Sequence, residues 1–88
     1  MNARQRISIP DQLAMFYEDA IVQDPTARTE PMLVYQAYVF WAMDHRVKQY
    51  ASRRRVYEGL VDKGWAVYQK GRHELHLLIG VRVKEDAK

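Results

Sequence analysis

The side chains in this sequence that could do chemistry are mostly cations. Arg53, Arg54 and Arg55 follow Ser52 in an unbroken row, Arg46 and Lys48 lie just before them, and Lys70, Arg72 and His73 form a later group. A guanidinium is a planar fork of N–H donors that matches phosphate oxygens and the O6/N7 edge of guanine. Arg54 and Arg55 are therefore expected to touch bases or phosphates. Arg46, Lys48, Lys70 and Arg72 are expected to hold phosphates, which adds affinity without sequence information. Glu58 could accept from a cytosine amino group or keep some sequences away. The competing reading pairs Arg54 and Arg55 with Glu58 and Asp62 on a solvated helix face, since their spacings are three, four and seven.

Other chemistries find little support. There is no cysteine, so thiolate catalysis, disulfides and cysteine-bound zinc are excluded. His73 and His76 are three apart, which on a strand sets them on opposite faces, and His45 belongs to another element. No metal site is expected, although His73 would add a pH-sensitive charge. No glycine-rich phosphate loop, nucleophile motif or paired carboxylates occur. The reading is of a non-enzyme with no cofactor and no small-molecule substrate.

Three helices and a hairpin must position the cations. Pro10 suits a first helical turn, and Leu13, Phe16, Tyr17, Ala20 and Ile21 recur at helical spacing, so a helix is expected over about 10–22, stopped by Asp24-Pro25. Thr29 reads as the cap of a second helix over about 31–46. A third, over about 52–63, has Ser52 as its cap, Val56, Tyr57, Leu60 and Val61 as its stripe, and Gly64 at its exit. Arg53 points toward the core side and would snorkel outward. Then the period changes to two. Residues 65–70 and 75–83 read as strands joined by a Gly71-Arg72 turn, with Leu75, Leu77, Ile79, Val81 and Val83 on one face. A short extended stretch near 27–29 completes an α+β, winged helix-turn-helix pattern of three helices and a β-hairpin wing. Residues 1–9 are expected to be a flexible basic tail and 85–88 a second tail.

Charge follows the same division. Residues 8–45 hold six carboxylates against Arg28, whereas residues 46–84 hold ten cations against three carboxylates. The basic half contains both elements that a winged helix presents to DNA, which would orient the molecule toward a polyanion. The chain's 88 residues, 48% hydrophobic, support one small core with few side chains to spare for a catalytic cleft. No apolar run approaches the roughly 20 residues that cross a bilayer. The basic start lacks the apolar segment of a secretory signal, so a soluble, intracellular protein is expected.

These residues also resemble a known family. Val34-Tyr35-Gln36-Ala37-Tyr38-Val39-Phe40-Trp41 is similar to the L-Y-x-A-Y-x-x-W helix in the C-terminal winged-helix domain of phage and plasmid primase-helicases of the poxvirus type. Ser52, Val56, Leu60, Gly64 and Trp65 follow that domain's S-x-x-x-F-x-x-x-L-x-x-x-G-F pattern, with Val56 in place of phenylalanine. Gly80-Val81-Arg82-Val83 resembles its closing G-I-R-L strand, and Phe16 with Asp24-Pro25 fits its opening helix. The likeness spans about residues 10–84 and rests mostly on core positions. It implies a double-stranded-DNA-binding module of a phage or mobile element, in the cytoplasm of a bacterial host. Primase and helicase domains do not precede the module in these 88 residues. A stand-alone chain would act in replication initiation, transcription or excision, and a domain of a larger replication protein would leave the chemistry to its parent.

The second helix is apolar almost all round. Leu33, Val39, Phe40 and Met43 form its second apolar face, which calls for a cover. A homodimer is the expected one; the other candidates are helix 1 and a protein partner. The alternative to DNA binding is accordingly a protein-interaction module that uses this face on a host or replication partner.

Overall fold

The computed structural model describes residues 7–71 and 76–84. Within them the chain runs α1 (Ile9–Ala20), β1 (Ile21–Thr29), α2 (Pro31–Asp44), α3 (Arg53–Asp62), β2 (Val67–Lys70) and β3 (His76–Val83). The three strands form an antiparallel sheet in the order β1-β3-β2, so β3 is central. The fold is α+β, three helices with a three-stranded sheet.

Local chemistry sets the helix starts. Ser8 accepts a hydrogen bond from the Asp11 amide at 3.3 Å, and Ser52 accepts one from the Arg55 amide at 3.2 Å. Each satisfies an amide that the first turn would otherwise leave bare. Residues 7–9 are not part of a flexible tail, because Ile9 already belongs to α1 and the Ile7 carbonyl accepts from Gln12 at 3.2 Å. Residues 1–6 and 85–88 lie outside the described part.

The first helix ends two residues before the expected 22. Ile21 is extended and opens β1, where Ile21, Val22 and Gln23 pair with Val83, Arg82 and Val81. Asp24-Pro25 therefore does not stop a helix but sits in an irregularity of a nine-residue strand. There Asp24 accepts from the amide and hydroxyl of Thr26 and from Arg82 at 3.3 Å. These bonds, Thr26's first, hold its carboxyl below the usual range. The extended stretch expected near 27–29 is the end of this strand, closed by Arg28↔Ile79 and Thr29↔Leu78.

The hairpin also departs from expectation. Lys70 pairs with His76, and the expected Gly71-Arg72 turn falls on a connection of which residues 72–75 lie outside the described part. Leu78, expected on the polar face of β3, is fully buried, as is Val81 three residues on. Gly80, at φ +105°, breaks the alternation between them. A Cβ there would stand 2.8 Å from the Trp65 carbonyl oxygen, so the strands close only over a glycine.

The core is aromatic at its centre. Phe16 packs edge-on against Tyr38 (5.4 Å between centroids) and Trp41 (5.9 Å), with Val34, Val56, Leu60, Leu78 and Val81 around them. A buried polar chain runs through it. Gln12 donates to the Gln49 carbonyl at 2.7 Å and accepts from the Tyr38 hydroxyl at 2.7 Å, and that hydroxyl accepts from the Ala51 amide at 2.7 Å. The link between α2 and α3 is thus tied to α1 and back to α2 just before the arginine row begins.

Candidate nucleic-acid interface

The angle of α3 against α1 is set by close contact. The Tyr17 hydroxyl donates to the Val56 carbonyl at 2.7 Å, and that hydroxyl lies where a Cβ at Gly59 would fall. Burial, then the nearby Asp62 charge, pushes the Tyr17 phenol far above its ordinary pKa. With Ser52 capping its start, α3 is held at its N-terminal turn from two directions.

On this mount the arginines diverge. Arg53 and Arg54 border a groove of about 830 Å³ whose walls are the start of α2 (Pro31, Met32), α3 (Tyr57, Val61) and the hairpin (Tyr68, His76). Arg55 turns to the opposite flank of α3, onto a smaller hollow of about 380 Å³ against Pro10 and Leu13 of α1. Glu58 borders both. All three arginines are exposed, and Arg53 does not reach out from the core as expected: the buried stripe of α3 is only Val56 and Leu60, and Arg53, Tyr57 and Val61 line the groove.

Arg54, 83% exposed, is bonded to Glu58 at 2.8 Å. Glu58 raises its pKa, through that hydrogen bond and then through charge. The pairing weighed against DNA contact is thus present at Arg54. Among the described residues Arg55 forms no ion pair. Glu30 and Asp62 on the rim make the groove mixed in charge.

The remaining cations are dispersed. Lys70 is exposed at the end of β2. Arg46 is exposed at the end of α2 with φ +53°, and Lys48 is exposed in the link; neither borders the groove. Arg72 and His73 lie outside the described residues. Of the α2 face, Leu33, Phe40 and Met43 are exposed, but Val39 is half-buried against the core and is corrected out of that face; Met32 and Gln36 take its place. No three His, Asp or Glu among the described residues come together as metal ligands, and no helix there is long and apolar enough to cross a membrane.

Of the groove's aromatic wall, sequence reasoning takes Tyr68 as exposed and able to touch a phosphate or base, but misses Tyr57 and His76. Tyr57 and Tyr68 lie 6.4 Å apart and Tyr68 and His76 5.5 Å apart. Tyr57 belongs to the expected apolar stripe of the third helix, yet it stands four residues after Arg53, which was the available signal. Burial raises the Tyr57 phenol's pKa, against a smaller opposing pull from Arg53. His76 keeps its Nδ1 buried without a hydrogen-bond partner among the described residues. Gln12 carried no signal at all, being a polar residue beside a helical stripe.

Comparison with protein-family models, with curated proteins and with solved structures gave no match to this chain.

Proposed function

We propose that this chain is a winged-helix module that binds double-stranded DNA, with α3 in the major groove and the β2–β3 hairpin as a wing on the sugar-phosphate backbone. One observation carries the reading: Arg53 and Arg54, at the start of a rigidly mounted helix, share a groove with Tyr68 and His76 of the hairpin. A helix start and a ribbon on one side can grip a duplex together, the helix on base edges and the ribbon on phosphates. The strand order and the resemblance to the C-terminal domain of phage primase-helicases support it, with a role in replication initiation or in control of transcription or excision. Arg54 and Arg55 read bases or phosphates, Lys70 and Arg72 hold phosphates, and Glu58 holds Arg54 until a phosphate or guanine displaces it.

Fluorescence anisotropy with labelled duplexes tests this. At about 100 mM salt the chain should bind a mixed-sequence duplex, and replacing Arg54 and Arg55 with Ala should weaken binding roughly tenfold or more and reduce discrimination between sequences. Equal affinity of the unmodified chain and the double variant for every duplex would reject the reading. A second reading, a protein-interaction module, is favoured by the exposed apolar stripe on α2; no duplex binding would favour it.

A further inference from the structure

The outer stripe of α2 answers a question the DNA reading leaves aside. Val34, Tyr38, Trp41 and Ala42 are buried in the core on one side of the helix. Across the helix from them Leu33 is 50%, Phe40 65% and Met43 57% exposed, with Met32 and Gln36 completing the arc. On a 100° wheel these five fall within an arc of about 100°, so they form a single stripe along the helix. A contiguous apolar stripe of this kind marks an interaction surface.

The charges at its two ends are opposite. Glu30 stands just before α2, its side chain making no capping bond and belonging to no ion pair among the described residues; Arg46 and Lys48 stand exposed just after the helix. We infer that this stripe is a self-association surface, on which a second copy of the chain lays its own α2 antiparallel across a two-fold axis between Gln36 and Phe40. In that register Leu33 faces the second copy's Met43, Phe40 covers its Gln36, and Glu30 comes opposite its Arg46, with every contact made twice. Asp44 faces the N-terminal, positive end of the opposing helix. A parallel pair would set Glu30 on Glu30 and Arg46 on Arg46, so the charge pattern selects the antiparallel one. A different protein would have to supply both the apolar stripe and the charges that this face already supplies to itself. Arg46 then serves the dimer rather than a phosphate. The inference does not depend on DNA binding.

Sedimentation equilibrium of the full chain, without DNA, tests it. Between about 5 and 500 µM the unmodified chain should pass from monomer to dimer. Phe40→Asp should raise the dimer dissociation constant roughly 30-fold or more with unchanged circular dichroism, since Phe40 lies at the centre of the contact. Glu30→Arg and Arg46→Glu should each weaken the dimer about fivefold or more, and the chain carrying both should regain it, because the swapped charges again face each other. A chain still monomeric at about 500 µM would overturn the inference and leave the stripe to another partner. A dimer indifferent to Phe40→Asp, or a double swap no better than the single ones, would overturn it too.

Discussion

In the proposed DNA-binding role, Glu58 sets how much of the arginine row is free to meet a polyanion. It sits one turn from Arg54, bonds it at 2.8 Å and borders both hollows beside α3. Both partners are solvent-exposed, so their pairing adds little to stability. Removing the carboxylate frees a guanidinium and takes away a charge that repels phosphates. Glu58→Gln is expected to leave the melting temperature nearly unchanged and to tighten binding to a mixed-sequence duplex about three- to tenfold, read by anisotropy. Tyr17 governs stability instead. Its phenol is held neutral by burial, and burial raises Tyr38 and Tyr57 as well. The fold thus favours the protonated form of all three. Their contribution is complete below the ordinary tyrosine value near 10 and is lost above it, where the unfolded chain ionises first. Urea unfolding from about pH 8 to 11 should show stability falling above about pH 10. Tyr17→Phe, destabilising by about 1–2 kcal/mol through its lost hydrogen bond, should fall less steeply.

At the scale of elements, two glycines are contact points rather than flexible joints. Gly59 admits the Tyr17 ring between α1 and α3, and Gly80 lets β3 pass the Trp65 carbonyl while changing which side chains face inward. Gly80→Ala combines a disfavoured φ with a clash against backbone and should destabilise by about 3 kcal/mol, measured by urea unfolding. Local signals were legible in part: Ser52 caps α3 as its residue type suggests, and the apolar spacing of α1 and α2 locates both helices. Thr29, however, does not cap α2, because it ends β1 and donates its hydroxyl to the Val81 carbonyl at 2.8 Å, leaving Glu30 at the cap position. Ile21 shows where local signals fail. Its spacing extends the helical stripe, and only pairing with Val83, far along the chain, makes it a strand. Leu78 fails for a related reason, since period-two reasoning has no term for a glycine that resets the alternation. The groove was half legible: its cations and the exposed Tyr68 stood out in the sequence, but Tyr57 and His76 beside them depend on how α3 meets the hairpin.

For the whole molecule the acidic and basic halves of the sequence do not fold into separate blocks; Asp24 of the first bonds Arg82 of the second across the sheet. In the proposed role, the shared side of the α3 start and the hairpin orients the molecule on the duplex. Lys70→Ala with Arg72→Ala should therefore weaken binding to all duplexes alike and lower the salt dependence by about one unit of log–log slope per lost phosphate contact. The most direct test is amide chemical-shift mapping during titration with a duplex of about 16 base pairs, roughly one and a half turns. The account predicts the largest shifts at residues 52–58, at 68–70 and at His76, with the outer face of α2 little changed. Shifts confined to residues 32–43, or none at saturating duplex, would contradict it.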